Sequence, residues 1–269
     1  MNSQAMPRPE TRQGSWDRRY LQRLLLVVCA FVLSGCATYS PKVELLPGAL
    51  APSQPITLVR AAEVKVYRLH ALHPAMFLGM VGRVAALAHM ETRAEELRKL
   101  MVAQKLAAHE VLTDVLAREL EAAGFKVRQA SVRWTEDEWG EPRADLSQLG
   151  PSHSRVLVVA PALVGFWSQG VNGNYQPAVR VRATLYGPDR SKPLYDGHHA
   201  TGLALAGADW VDVPPGGEGY ATFAALTAQP SATAASLKYS VALVARSVVR
   251  ELTAPGRVAT GERPPVARN

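Results

Sequence analysis

The chain has 269 residues, of which 48% are hydrophobic, and two cysteines, Cys29 and Cys36. Its net charge is +7, but residues 1–35 carry five arginines and two acidic residues, so a net +4 remains from Cys36 onward. Nucleic-acid recognition needs a dense cluster of cationic side chains, and this mild surplus does not supply one. We therefore expect no nucleic-acid partner.

Residues 1–35 have the pattern of an export signal. The ten-residue apolar segment Leu24–Leu33 follows Arg18, Arg19 and Arg23, an order that is typical of a secretory signal. Ten residues are too few to cross a bilayer, since a membrane-spanning helix needs about 20. Removal of this segment leaves a single cysteine, so the exported chain has no intramolecular disulfide.

The end of this segment, Leu33-Ser34-Gly35-Cys36, resembles the lipobox of bacterial lipoproteins. The resemblance implies that Cys36 receives a diacylglycerol on its sulfur and becomes the amino terminus after cleavage. Residue 37 is alanine, whereas aspartate there commonly marks inner-membrane retention, so the resemblance implies a lipid-anchored, periplasm-facing protein of the outer membrane. The alternative is an ordinary signal peptide with a coincidental cysteine.

Composition divides the exported chain into three parts. Residues 36–55 contain four prolines and predict an extended tether, because proline breaks helices and lacks a ladder donor. Residues 56–255 have the length of a single domain. Residues 256–269 are polar and proline-rich and predict a disordered tail.

Several segments of the domain have strand patterns. Residues 56–69 alternate, and residues 155–167 form a continuous apolar run that is typical of a central strand, with a bulge expected at Pro161. A hairpin turn is predicted at Val171-Asn172-Gly173-Asn174. Residues 178–186 then alternate between apolar and polar side chains, and residues 194–205 return as their partner.

Two helices are predicted with clear boundaries. Thr92 and Glu95 have capping-box spacing, which predicts a helix start there and a helix that ends at Gly124. A second amphipathic helix covers residues 237–252. The apolar segment 75–90 has two interpretations, either a buried packing segment under the sheet or an interfacial segment that dips into lipid.

Together these elements predict an α+β fold with a mixed, largely antiparallel sheet of four to five strands and two main amphipathic helices packed mostly on one face. The sequences LTDVLARELEAAGFKV (112–127) and RVLVVAPALVGFW (155–167), with the strand pair and terminal helix, resemble small envelope-lipoprotein domains. Such domains include the amino-terminal domain of the Tol-system translocation protein, the curli-secretion lipoprotein and ABC-transport auxiliary lipoproteins. The resemblance implies a non-catalytic accessory or scaffold role.

Candidate catalytic and metal-binding residues are few. His198 and His199 are adjacent, and neighbouring residues on a strand point to opposite faces, so they do not chelate together. Asp196 shares a face with His198, but two ligands fall short of the three or four that zinc uses. Ser168 is one residue out of register for a nucleophile elbow. We expect no catalytic residue, metal or cofactor, with a membrane-tethered hydrolase using Ser168 or the His198 region as the alternative.

A partner-binding segment is predicted at residues 206–230, an irregular glycine- and proline-rich connection that contains Trp210, Tyr220 and Phe223. Its alternative role is to cover the sheet edge or one end of the core. The sequence therefore predicts a membrane-anchored accessory protein that binds another cell-envelope protein. The alternative is a carrier of lipid or another apolar ligand that acts with a transporter.

Overall fold

The computed structural model describes residues 42–46, 50, 54–71, 73–138, 140–151, 154–168, 174–203, 210–217 and 219–254. The strands in this part are β1 (Ile56–Val59), β2 (Arg68–His70), β3 (Val127–Ala130), β4 (Trp134–Glu136), β5 (Pro142–Ala144), β6 (Arg155–Ser168), β7 (Tyr175–Tyr186), β8 (Pro193–Thr201) and β9 (Trp210–Val213). The helices are α1 (Gly79–Ala103), α2 (Ala108–Ala122), α3 (Phe223–Thr227) and α4 (Pro230–Thr253), with 3₁₀ turns at Pro74–Phe77 and Leu146–Gln148.

The predicted α+β class is confirmed. Seven strands form the main sheet in the order β3-β1-β6-β7-β8-β9, and β2 pairs with β6 beside β1. The two longest pairings, β6 with β7 and β7 with β8, are antiparallel, whereas β1, β2, β3 and β9 join in parallel. The sheet has more strands than the four to five predicted, because segment 56–69 forms two strands, β1 and β2, and β9 lies in a segment expected to be irregular.

The central strand is β6, as its apolar sequence predicts. Its 14 residues pair with β7 along one edge and with β1 and then β2 along the other. The register with β7 shifts between Pro161 and Leu163, which confirms the expected bulge. The turn predicted at residues 171–174 lies mostly outside the described residues, and the strands on either side of it pair antiparallel.

One face of the sheet forms the main core. The alternate side chains Val179, Val181, Ala183 and Leu185 of β7 are fully buried, as their alternation predicts. Helices α2 and α4 cover this face with Leu112, Leu116, Leu120, Leu237, Val241, Val244 and Val248. The opposite face carries a smaller apolar cluster under the β4–β5 hairpin, formed by Val59, Val156 and Val158 with neighbours that include Trp134 and Tyr186.

The end of α2 at Gly124 is confirmed in detail. Gly124 has a φ of +91°, and its amide donates to the Glu121 carbonyl at 2.9 Å. The amide of Phe125 donates to the Leu120 carbonyl at 3.1 Å. These two bonds form a Schellman motif, which satisfies the last carbonyls of the helix and directs the chain into β3.

The helix start predicted at Thr92 is wrong. Helix α1 begins thirteen residues earlier, at Gly79, and Thr92 lies in its interior, where the hydroxyl donates to the Ala88 carbonyl at 3.0 Å. Glu95 binds Arg98 and Lys99 on the helix surface instead of capping an end. A second correction is a break after Ala103, where Lys105 takes a φ of +52° and separates α1 from α2.

The described part of residues 206–230 contains two regular elements, contrary to the expectation of an irregular connection. Trp210–Val213 form β9, and Phe223–Thr227 form α3, which Thr222 caps by accepting a bond from the Ala225 amide at 3.0 Å. Glycine and proline residues occur between these two elements and concealed them in the sequence pattern.

Part of the predicted tether is bound to the domain. The amide of Val43 donates to the Asp196 carbonyl at 2.9 Å, and the amide of Asp196 returns a bond at 3.0 Å. The ammonium of Lys42 donates to Glu251 of α4 at 2.6 Å. The predicted signal segment 1–35, Cys36 and the predicted tail 256–269 lie outside the described residues.

We predict that Gly165→Ala destabilises the protein. Gly165 lies opposite Arg68 in the β2–β6 pairing, and an added Cβ would overlap the Arg68 carbonyl oxygen. Displacing β2 should lower the free energy of unfolding by about 2 to 3 kcal/mol, measured by urea denaturation. Gly217→Ala is the control because a Cβ there meets no atom within 4 Å. Equal stability of the two variants would contradict the prediction.

Candidate interaction surfaces

Trp210 lies on β9 between two polar side chains. Its ring stacks on His198 at a centroid distance of 5.8 Å, and the Arg180 guanidinium lies 5.3 Å from its centroid. Arg180 also binds Glu141 beside the β4–β5 hairpin at 2.8 Å. These contacts connect β9, the last strand of the sheet, to the polar face of the sheet. Trp210 is half-buried, so part of its side chain stays accessible.

Tyr220 and Phe223 lie against the end of the sheet where β7 begins. The backbone of Tyr220 exchanges two hydrogen bonds with Tyr175, at 2.7 and 2.9 Å, and its ring meets Phe166 edge-on at 6.0 Å. Phe223 is only 7% exposed and lies under the Arg93 guanidinium, 5.1 Å from its centroid. Most of the Phe223 ring is therefore part of the core, and Tyr220 and Trp210 are the more accessible residues of the predicted partner site.

His198 and His199 point to opposite faces of β8, as the strand geometry predicts. His199 is fully buried on the helical face, where Nε2 lies 2.8 Å from the Tyr195 hydroxyl and Nδ1 lies 3.0 Å from the Ser247 hydroxyl. Both hydroxyls donate or accept, so either tautomer of a neutral ring is satisfied. Burial lowers the pKa of His199 to about 4, while Glu251 and Lys42 act on it in opposite directions.

The polar face of β8 is organised by an ion pair. Asp196 accepts two bonds from Arg182, at 2.9 and 2.6 Å, and one from the Thr184 hydroxyl at 3.1 Å. Burial, followed by the charges of Arg182 and Arg180, lowers the pKa of His198 on the same face. Among the described residues, no group of three or more His, Cys, Asp or Glu side chains is arranged to hold a metal ion.

Ser168 is far from His198 and His199, the other candidate region of the hydrolase alternative. It is 2% exposed and pairs with Tyr175, whereas His199 pairs with Val181 of the same strand. Six residues along β7 correspond to about 20 Å. The register therefore keeps Ser168 beyond hydrogen-bonding distance of His198 and His199, and this combination does not form a catalytic pair.

The layer between sheet and helices is packed with side chains. Leu157, Val181 and Leu185 of the sheet and Leu237 and Val244 of α4 are all fully buried in it. A pocket of about 450 Å³ lies outside this layer and is open to solvent, with Arg60, Glu63, Glu110 and Asp114 in its lining. Charged walls do not suit an acyl chain, so this pocket does not support the lipid-carrier alternative.

An exposed apolar surface covers the start of α1 and the turn before it. We call it the α1 tip and define it by six side chains with exposed fractions between 61% and 84%: Phe77, Leu78, Met80, Val81, Val84 and Leu87. The expectation that segment 75–90 is a buried packing segment is therefore wrong. Only Gly82, Ala86 and Met90 of this segment are buried, which is a narrow stripe of small side chains and one methionine.

The α1 tip has more adjacent exposed apolar side chains than an ordinary protein surface. Single exposed apolar residues are common, but a contiguous group of large ones marks a surface that contacts another molecule. None of the helices in the described residues is long and apolar enough to cross a membrane. The sequence left two interpretations of this segment open, because hydrophobicity alone does not distinguish a buried helix from an exposed one.

Comparison with known proteins gives only distant similarity. Neither a family model nor a curated protein matches this chain. The PelC dodecamer from Paraburkholderia phytofirmans is similar with a TM-score of 0.34 and 15% identity, covering 80% of this chain and 96% of that one. Protein XCC0632 from Xanthomonas campestris has a TM-score of 0.35 and 14% identity, covering 80% and 94%. At these scores no property of either protein is transferred to this chain.

We predict that Trp210→Ala lowers the melting temperature, because it removes the ring that lies between His198 and Arg180. The expected shift is about 5 °C by differential scanning calorimetry. Tyr239→Ala on α4 is the matched control, since Tyr239 is 48% exposed. If Trp210→Ala leaves the melting temperature unchanged but abolishes crosslinking to an envelope protein, Trp210 instead belongs to a partner-binding surface.

We predict that acid destabilises the protein through His199. An unfolded histidine takes up a proton near its ordinary pKa of 6.5, whereas folded His199 does so only near pH 4. The contribution of neutral His199 to the free energy of unfolding is therefore complete above pH 6.5. That free energy falls by about 3 kcal/mol between pH 6.5 and pH 4. His199→Gln should flatten this dependence in urea titrations at pH 7 and pH 5. A variant that keeps the wild-type slope would contradict the assignment.

Proposed function

We propose that this chain is a non-catalytic accessory or scaffold lipoprotein. In this proposal Cys36 is the acylated amino terminus in the outer membrane, and the domain faces the periplasm and binds another cell-envelope protein. The lipobox-like residues Leu33 to Cys36 support the anchor. The observation that carries the proposal is the small number of residues between Cys36 and the first residue that is hydrogen-bonded to the folded domain.

That attachment occurs at Lys42 and Val43. Two backbone bonds fix Val43 to β8, and the ion pair of Lys42 with Glu251 fixes the same segment to α4. Five residues separate Cys36 from Lys42, and the six steps of the chain between these two span at most about 21 Å. A domain of this size has a radius of gyration of about 17 Å, so the tether is short relative to the body it holds.

A short tether restricts where the protein acts. The domain stays at the membrane surface and does not reach across the periplasm, which suits a protein that works beside another component of the same membrane. Restriction to this layer also raises its effective concentration near such a partner. The separation of Ser168 from His198 and His199, together with the packed core, supports a binding role over hydrolysis or internal ligand carriage.

We predict that Cys36→Ser abolishes acylation and release from the signal segment. The wild-type protein should fractionate with membranes and carry lipid mass on residue 36, measured by membrane flotation and mass spectrometry of the amino-terminal peptide. Because a single acyl chain gives only marginal binding, stable anchoring needs the several chains of the lipoprotein pathway.

The matched control is Cys29→Ser, which changes the only other cysteine and lies within the apolar part of the signal. It should leave acylation and fractionation unchanged. Wild-type protein that is soluble, begins at another residue and carries no lipid would contradict the proposal. Crosslinking in intact cells with the anchor in place then tests for the protein partner.

A further inference from the structure

The α1 tip has a polarity boundary that runs across the helix axis. At 100° per residue, the tip residues within the helix, Met80, Val81, Val84 and Leu87, cover an arc of about 120° on the side facing away from the buried stripe. About one to three turns beyond Leu87 the same arc carries Glu91, Glu95, Arg98 and Lys99. The helix is therefore apolar at its amino-terminal end and charged further along.

This arrangement differs from that of a helix lying in a membrane surface. Such a helix has its polar boundary parallel to the axis, with one apolar face along its whole length. A boundary across the axis suits entry of the helix end into an apolar layer. Gly79 to Leu87 span about 12 Å, which is less than the roughly 15 Å of one hydrocarbon leaflet.

The tip is held as one unit with the turn before it. The amide of Leu78 donates to the Ala75 carbonyl at 3.0 Å, which closes the 3₁₀ turn against the helix start. Gly82 lies so close that a Cβ there would overlap the Ala75 carbonyl oxygen. The turn therefore packs directly on α1, and Phe77 and Leu78 project from the end of the helix with exposed fractions of 72% and 75%.

The charges around the tip suit an anionic lipid surface. No acidic residue occurs from position 64 to position 90, and Arg83 is the cationic residue within the α1 tip. Arg83 is exposed within the tip, and its long side chain can extend to the headgroups while its methylene groups remain among apolar neighbours. Cationic residues beside exposed apolar ones are the combination that binds anionic bilayers.

We propose that the α1 tip inserts end-on into the phospholipid leaflet that holds the lipid anchor. This inference rests on the proposed function, because the acylated Cys36 brings the domain to the bilayer. The tip then acts as a second membrane contact, and it fixes the orientation of the domain, which a flexible tether alone leaves free. The apolar side chains enter the acyl region, Arg83 stays at the headgroups, and the charged part of α1 from Glu91 onward stays in water.

The test uses one engineered cysteine at a time, because Cys36 is the only cysteine of the exported chain and its sulfur is proposed to carry lipid. Val84→Cys lies in the tip at 65% exposure, and the matched control Val102→Cys lies near the other end of α1 at 61% exposure. Each full acylated protein is labelled with an environment-sensitive fluorophore and reconstituted into phosphatidylethanolamine–phosphatidylglycerol vesicles. The vesicles carry brominated acyl chains as quenchers.

We expect a blue-shifted emission and loss of about half of the intensity for the label at residue 84, as insertion to acyl depth requires, and a water-like, unquenched label at residue 102. Adding Val81→Asp, at 84% exposure, should restore the emission at residue 84. A water-like label at residue 84 overturns the inference. A blue shift that appears without vesicles as the protein concentration rises also overturns it, because it would assign the tip to contact with a second copy of the chain. A blue shift that requires an added envelope protein overturns it as well.

The outcomes separate this inference from the proposed function. An acylated protein that floats with vesicles but has an unquenched label at residue 84 refutes insertion and leaves the anchored accessory role intact. A protein that lacks lipid on residue 36 refutes the anchor independently of the label. Circular dichroism of both cysteine variants checks that the fold is retained, which is expected because both positions are more than half exposed.

Discussion

The pairing of β6 with two separate short strands is the constraint on which the rest of the structure depends. β1 covers the first part of one edge of β6 and β2 covers the last part, on either side of the irregularity at Pro161. The other edge is filled by β7. Because β2 must approach Gly165 closely, the chain that follows it is fixed at one end of the sheet, and the 3₁₀ turn and α1 begin from that point.

This arrangement separates a stabilising face from an interacting end. Helices α2 and α4 bury the apolar face of the sheet, and α4 also supplies Ser247 and Glu251, which bind His199 and Lys42 respectively. The same helix thus closes the core and holds the amino-terminal segment. Helix α1 joins the core mainly through its second half, with Leu97 and Met101, and leaves its first half projecting.

The polar face of the sheet has a different role from the exposed tip. The Arg182–Asp196 pair, the Arg180–Glu141 pair and the stacking of Trp210 on His198 connect β7, β8, β9 and the β4–β5 hairpin. These contacts bind protein groups to each other, whereas the apolar side chains of the tip project into solvent. The proposed orientation at the membrane follows from this asymmetry together with the short connection to Cys36.

The sequence by itself determined the elements whose side chains repeat with a clear period. The alternation of β7, the apolar run of β6 with its bulge, the carboxyl end of α2 at Gly124 and the opposite faces of His198 and His199 were all predicted correctly, because each depends on local geometry. The lipobox-like Leu33 to Cys36 and the partner role of Trp210, Tyr220 and Phe223 stay predictions, as does the resemblance to envelope lipoproteins.

Only the tertiary structure decided which apolar residues are buried. Residues 75–90 and 155–167 are both rich in apolar side chains, yet most of the first segment is exposed and most of the second lies in the core, because hydrophobicity alone does not decide which elements pack against a segment. The spacing of Thr92 and Glu95 predicted a helix end that does not exist, since a capping pair has no effect where the preceding residues are already helical. The short strands β2 and β9 form because long neighbours offer them hydrogen bonds, and that information lies outside their own three or four residues.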